Sequence, residues 1–346
     1  MKNTSDINID GKEYKLNFKL TNGNNPYLSD TSNMGNKYKE GALNALRIME
    51  KSLTRKELSN LVDKKLQTKT KKFNESQFIQ SACELTICAY FASLFPENFK
   101  YEPKINPPKD IDCSFQSNGY DINVEIKCAD FTSKKELDSQ PKILKLGSMG
   151  RTPGFDEQFK KIEKLIGENS DYSLVMQKHM DNRLKDYLLS AHEKFDNEAV
   201  DDTLNVLAVC CDDAADIQKW FGYMSFHEGL FTQNSFFDSS KFNNVDVVLL
   251  TNLHHRHSQY IQKNKIFDHW QFSDAFNLIF SNPFRKKNKR DEIFHLLEVI
   301  PNFSVELHRF QVKGNIPQKV KDAMRINHFV AEELQQKGRY FFQPIT

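Results

Sequence analysis

Four residues stand out by type and spacing: Glu84, Asp112, Glu125 and Lys127. The last three fall between Asp110 and Cys128, a stretch that reads as two alternating strands joined at Asn118-Gly119. Asn-Gly between alternating strands signals a two-residue hairpin turn, because both central residues need positive φ. That turn sets a register. Ser117 faces Tyr120, Phe115 faces Ile122, Cys113 faces Val124 and Ile111 faces Ile126, all on one side. On the other side Ser114 faces Asn123, Asp112 faces Glu125 and Asp110 faces Lys127. Directly opposed residues have Cβ atoms about 4.5–5.5 Å apart, where like charges destabilise a sheet. The Asp112–Glu125 opposition therefore calls for a cation, which a neighbouring lysine, a shared proton or a divalent metal could supply.

Two carboxylates on adjacent strands, with backbone carbonyls, make a hard-oxygen site suited to Mg²⁺ or Mn²⁺. Such an ion would offset the repulsion, polarise a phosphate and lower the pKa of a bound water. Strand alternation puts Lys127 on the face of Glu125. A lysine there can orient or deprotonate water, or stabilise charge on a phosphate; its plainer role is a salt bridge to Asp110. Glu84 falls on a helical pattern over about 75–95, among Cys83, Ile87, Cys88 and Phe91. A carboxylate on so apolar a face needs a partner, either a lysine at the rim or the Asp112–Glu125 pair. Two other Glu-x-Lys triplets fit less well. Glu13-Tyr-Lys15 follows Asp10 too closely for a separate partnered strand, and Glu102-Pro-Lys104 carries a proline that disfavours a central strand.

Other motifs are weaker. His254-His255-Arg256-His257 follows an apolar strand, but no second ligand cluster accompanies it, so it reads as a polar loop. Cys210 and Cys211 point to opposite strand faces and cannot readily share one ion. Arg285, Lys286, Lys287, Lys289 and Arg290 form the densest basic cluster, either a solubilising loop or a phosphate-contact surface. No glycine-rich phosphate loop and no Gly-x-Ser-x-Gly elbow is present.

The elements that must hold these residues follow from periodicity and turn signals. Residues 7–20 alternate around Asp10-Gly11 as a small hairpin, and 22–36 read as a loop. Helices are expected over 38–53 and from Thr54, where Thr54-Arg-Lys-Glu57 forms a capping box. That pair resembles a DNA-binding helix-turn-helix in outline, but an ordinary helical pair is the commoner arrangement. The basic run from Lys64 to Lys72 reads as a solvated face. A short strand is expected near 99–105, and 128–154 read as a long polar loop. Helices follow over 156–167 and 173–195, then a strand over 204–211, a helix over 214–221 and a strand over 245–251. In the last third, 273–281 and 317–336 read as helical and 303–312 as a strand. Short apolar strands separated by helices imply an α/β fold, a central mixed sheet flanked by helices.

With 346 residues, 39% of them hydrophobic, the chain can bury a large core, so a disordered chain is excluded. The net charge of +2 means that nucleic acid would have to be held by local basic patches. The first residues lack an apolar signal core, and no apolar run reaches the roughly 18 residues of a membrane span. The six cysteines form no Cys-x-x-Cys pair, so they read as reduced core residues of a cytoplasmic protein.

Taken in order, a helix with Glu84, a strand with Asp112, a strand with Glu125-Ile-Lys127, then helix, strand, helix and strand, the chain resembles the PD-(D/E)XK nuclease superfamily over roughly residues 75–251. The family's Pro-Asp is not literal here: the chain has Pro108-Lys109-Asp110-Ile111-Asp112, and Asp112 is preferred over Asp110 because it faces Glu125. A family helper residue on the following helix has no clear match, Gln177 and Lys178 being the candidates. The resemblance implies a restriction-endonuclease-like core over 73–260, with accessory N-terminal (1–72) and C-terminal (261–346) segments. It implies a Mg²⁺-dependent deoxyribonuclease, with Mn²⁺ as a substitute. Asp112 and Glu125 would bind the metal, Glu84 would support it, and Lys127 would assist the water or the phosphate. It further implies DNA rather than RNA as substrate, a setting in restriction or other anti-phage defence, and a homodimer or a defence-system partner. The alternative is a catalytically silent member that binds nucleic acid or protein.

Overall fold

The computed structural model describes residues 7–9, 12–14, 23–148, 150–195, 202–263, 266 and 268–332. Its strands are β1 (Ile7–Ile9), β2 (Lys12–Tyr14), β3 (Lys100–Tyr101), β4 (Cys113–Ser117), β5 (Tyr120–Cys128), β6 (Ile143–Leu146), β7 (Ser173–Met176), β8 (Thr203–Cys210), β9 (Val247–Thr251) and β10 (Asn277–Ser281). Its helices are α1 (Pro26–Ser29), α2 (Asn33–Glu50), α3 (Arg55–Asn60), α4 (Glu75–Leu94), α5 (Thr132–Asp138), α6 (Phe155–Asn169), α7 (Asp181–Lys194), α8 (Ala214–Ser225), α9 (Leu253–His257), α10 (Arg290–Val299), α11 (Ser304–Arg309) and α12 (Gln318–Phe329). The fold is α/β. A six-stranded mixed sheet, in the order β10-β9-β8-β5-β4-β3, is covered by helices on both faces. β3, β4 and β5 form an antiparallel meander, β5, β8 and β9 run parallel, and β10 returns antiparallel.

The central strands are nearly continuous apolar runs, as a sheet buried on both faces requires. β8 alternates between two cores: Leu204, Val206, Ala208 and Cys210 enter one, Leu207 and Val209 the other. The first core lies under α2 and α4. α4 is apolar on almost every side and lodges between α2 and the sheet, with Phe91 and Phe95 stacked on Phe115 of β4 at 4.4 and 4.7 Å. Burying one such ring contributes roughly 1.5–3 kcal/mol. Asn74 caps α4 by accepting the Gln77 N–H at 3.0 Å. The second core lies under α7, α8 and α12. Tyr27 and Tyr38 from the N-terminal segment, and Trp270 and Ile300 from the C-terminal one, enter the first core beside α4.

The hairpin forms as the turn chemistry requires. Asn118 and Gly119 both have positive φ, 52° and 83°, and the pairs run from Ser117–Tyr120 to Cys113–Val124 in the expected register. The ladder stops there. Ile111 does not pair with Ile126; it leaves the strand and enters the second core, while Ile126 packs on the first. The Thr54 capping box is complete, with Glu57 accepting the Thr54 N–H at 2.7 Å. β1 and β2 pair from Ile7–Tyr14 to Ile9–Lys12; their Asp10-Gly11 turn, and the end of the helix expected over 317–336, lie outside the described residues.

Several expectations are corrected. The segment 22–36 is not all loop, because Asn25 and Ser32 cap α1 and the start of α2. The stretch 128–154 contains α5 and β6 rather than a bare loop, and residues 173–176 form β7 instead of helix. β6 and β7 each lack a partner within their own stretch and form a parallel pair across α6. Residues 277–281, read as helix, form β10, because Leu-Ile-Phe suits a pleated edge paired with β9 and pairing overrides local pattern. Residues 304–309, read as strand, form α11. It covers the outer edge of β10, where Ser304 Oγ accepts the Ile279 N–H at 2.7 Å. The histidine run is not a polar loop: it forms α9, with His254, Arg256 and His257 buried. His257 bonds Tyr38 and Thr86 at 2.9 and 3.0 Å inside the core.

Candidate active site

The pleat of β5 sends Ile122, Val124 and Ile126 toward α4 and Asn123, Glu125 and Lys127 toward α7. Glu125 is completely buried. Two ammonium groups meet its Oε1, Lys127 Nζ at 2.6 Å and Lys194 Nζ at 2.7 Å. These are close charge contacts rather than well-directed hydrogen bonds: neither Glu125 oxygen has a hydrogen-bond partner of good geometry among the described residues. The carboxylate is thus held mainly by the two ammonium charges on one of its oxygens.

Asp112 sits one residue before β4, where the ladder with β5 has ended. Its Oδ2 turns onto the partner backbone and accepts the Ile126 N–H at 2.5 Å. Burial pushes its carboxyl well above the usual aspartate range, and the charges of Glu84 and Glu125 add to this; the Ile126 N–H and Lys194 work the other way. The like-charge problem read from the hairpin therefore persists, although Asp112 reaches Glu125 from beyond the strand end rather than as a ladder pair. Asp110 is exposed and forms no ion pair with Lys127 among the described residues, so Lys127 serves Glu125 instead.

Glu84 approaches from α4. Its Oε1 accepts from Lys65 at 2.6 Å and from the Tyr101 hydroxyl at 2.8 Å. Lys65 ends a π-helical turn, Leu61–Lys65, and also reaches Glu102 at 2.7 Å. Burial opposes its charge, but Glu84 and Glu102 hold the ammonium above the usual lysine range. The basic run from Lys64 is thus not wholly a solvated face: Lys65 turns inward and supplies the lysine partner weighed for Glu84.

Lys194 escaped the sequence reading. Leu184, Leu188 and Ala191 mark the buried face of α7, and Lys194 falls one turn beyond Ala191 on that face. A lysine continuing an apolar stripe was the available signal. Gln177 and Lys178 lie elsewhere, beyond β7, where Gln177 accepts from Lys219. Beneath the sheet, Asn123 donates to Asn205 at 2.9 Å, Asp246 accepts the Asn205 N–H at 2.8 Å, and Lys289 meets Asp246 at 2.7 Å.

That last contact splits the basic cluster. Lys289 is 2% exposed and held by a buried aspartate, so it is a core residue and not a phosphate contact. Lys286, Lys287 and Arg290 are exposed and Arg285 half-buried. Lys286 lies close enough to His192 on α7 to help lower that imidazole's pKa, after burial. The cluster thus flanks the end of α7 that carries Lys194.

Among the described residues, no group of three or more His, Cys, Asp or Glu side chains is placed to hold a metal ion, and no helix is long and apolar enough to cross a membrane. In comparisons with protein-family models, with curated proteins and with solved structures, nothing matched this chain.

Proposed function

We propose that the chain is a divalent-metal-dependent nuclease of the PD-(D/E)XK type that hydrolyses phosphodiester bonds in DNA. One observation carries this reading. A fully buried glutamate on a central strand, two residues before a lysine that contacts it, shares an acidic neighbourhood with an aspartate at the start of the adjacent strand. The order α4, β3, β4, β5, then α5, β6, α6 and β7 before α7 and β8, with β5 and β8 parallel in one mixed sheet, is compatible with the general α/β class of the core that the sequence resembles.

The residues fit a hard cation. Asp112 and Glu125 offer carboxylate oxygens, Glu125 Oε2 meets neither ammonium, and burial together with the charges of Glu84 and Glu125 holds the Asp112 carboxyl above the usual aspartate range. Mg²⁺ is commonly held by one or two carboxylates, with water and substrate phosphate filling the other positions. Asp112 and Glu125 would hold it, and when bound it would polarise the phosphate and acidify a water. Lys127, an ammonium in contact with Glu125, would stabilise charge on the phosphate or orient the attacking water. Lys194 offers a second positive charge on the same oxygen. Glu84, engaged by Lys65 and Tyr101, acts through its field on Asp112. Lys286, Lys287 and Arg290 would meet the DNA backbone.

A second reading has its own observation: two ammonium groups already neutralise Glu125 and a third engages Glu84, as in a catalytically silent member that only binds nucleic acid or protein. Incubation with plasmid DNA, linear DNA and RNA in Mg²⁺, Mn²⁺ or EDTA separates the two. Cutting of DNA that EDTA abolishes supports the nuclease; metal-independent binding without cutting supports the silent form. The defence setting and a dimeric or partnered state stay part of the proposal, and the size of the cleaving species by light scattering tests the latter.

A further inference from the structure

A cavity of about 360 Å³ lies outside the C-terminal ends of parallel strands, with Phe131 after β5, Lys145 near the end of β6, Gln177 after β7 and Lys219 on the helix that follows β8. Ligands of open α/β sheets bind in such crevices. The cavity shares no residue with the Glu125 cluster.

Most of its charged side chains are already engaged. The carboxylates that line it are occupied: Asp130 accepts from Thr132 at 2.6 and 2.9 Å, Asp186 meets Lys185 at 3.2 Å, and Asp216 accepts the Asp212 N–H at 2.8 Å and Trp220 Nε1 at 3.1 Å. Of the lining cations, Lys134 is taken up by Asp212 and Asp213 at 2.7 Å each, and Lys145 by Asp138. Lys219 differs. It is only 9% exposed, its ammonium bonds the Gln177 carboxamide, and it forms no ion pair with a carboxylate among the described residues. Lys178 and Arg183, at the exposed rim, likewise form none. A buried ammonium that bonds a neutral amide, with Asp216 nearby but not in contact, gains from an anion that reaches it. Burial lowers the Lys219 pKa, with Asp216 working the other way.

We propose that this cavity binds a small organic phosphate of about mononucleotide size, its phosphate on Lys219 with Lys178 and Arg183 at the rim and its organic part against Phe131 and Tyr223. Its size favours an occupant larger than a bare phosphate. One water takes roughly 30 Å³, so an inorganic anion would leave most of the space to solvent, whereas ligand pockets start at about 300 Å³. Phe131 and Tyr223, each 3% exposed, add an apolar portion to the cavity wall.

Calorimetric titration of the full chain with ribose 5-phosphate and with AMP, GMP, CMP and UMP tests this, with the uncharged nucleosides and inorganic phosphate as controls. At least one organic phosphate should bind more tightly than inorganic phosphate and more tightly than its nucleoside. Lys219→Met should weaken that binding about tenfold or more, the usual effect of losing a charged hydrogen bond. Arg183→Ala, on the surface, should weaken it in a chain whose fold is undisturbed, so a poorly folding Lys219→Met leaves the question decidable. No binding by any of these phosphates, equal binding of nucleoside and nucleotide, or affinity unchanged in Arg183→Ala and in folded Lys219→Met would overturn the proposal. The readout does not involve DNA cleavage, so it stands apart from the nuclease reading.

Discussion

Replacing Glu125 by glutamine tests the charge balance of the site. Two ammonium groups lie 2.6 and 2.7 Å from one oxygen of a carboxylate with no exposure. At an effective dielectric of about 20, unit charges that close attract by about 6 kcal/mol, most of it offset by the desolvation of Glu125. Removing one partner of a buried pair costs about 3–5 kcal/mol, because the other is left uncompensated. Lys127 and Lys194 keep side-chain exposures of 23% and 22%, so they can turn toward water, which puts Glu125→Gln at the lower end, about 3 kcal/mol. Either Lys127→Met or Lys194→Met alone should cost less, about 1–2 kcal/mol, since Glu125 keeps one ammonium. The double variant strands a buried carboxylate and should cost more than the sum of the singles. Urea unfolding in EDTA, with all four variants beside the parent chain, measures this. If the two lysine substitutions add without coupling, they do not share Glu125 and the site as described is wrong.

Further expectations follow from other contacts. The Asp112 carboxyl has an ordinary value of 3.8 and is raised well above it in the fold, so the folded chain holds the extra proton and stability falls as pH rises from about 4 toward the raised value. Asp112→Asn keeps an acceptor for the Ile126 N–H and removes that penalty. In EDTA at pH 8 it should unfold at a higher temperature than the parent while losing cleavage; a lower unfolding temperature would refute the raised carboxyl. Lys194→Ala should lower the cleavage rate about 10–100-fold, whereas Lys178→Ala should leave it unchanged, as single-turnover assays would show. Lys289→Ala should cost about 3 kcal/mol through its buried aspartate, whereas Lys286→Ala should spare stability and reduce the salt dependence of DNA binding by about one phosphate contact.

What the sequence revealed, and what it hid, divides by distance along the chain. The β4–β5 turn was readable because Asn118 and Gly119 encode positive φ locally, and strand alternation then placed Lys127 beside Glu125. The Thr54 capping box was readable for the same reason. Ile111 was misplaced because alternation says nothing of where a ladder ends: once Asp112 bonds the Ile126 N–H, the preceding residue belongs to the other core. Lys194 and Lys65 reach the acidic cluster from separate elements, and only packing brings them there. Lys289 read as part of a basic surface because its partner, Asp246, lies far back in the chain. β10 and α11 exchanged their expected types because the sheet edge, and not local periodicity, decides what pairs with β9 and what covers it.

The central claim is that Glu125 organises metal-dependent phosphodiester cleavage. It is tested most directly by the rate of supercoiled plasmid nicking in Mg²⁺ by the parent chain and by Glu125→Gln, with each preparation confirmed as folded by circular dichroism. EDTA-sensitive nicking by the parent and a loss of about 10²-fold or more in the variant are expected. Equal nicking by the two proteins would contradict it, and so would a folded parent chain that leaves DNA intact in both Mg²⁺ and Mn²⁺.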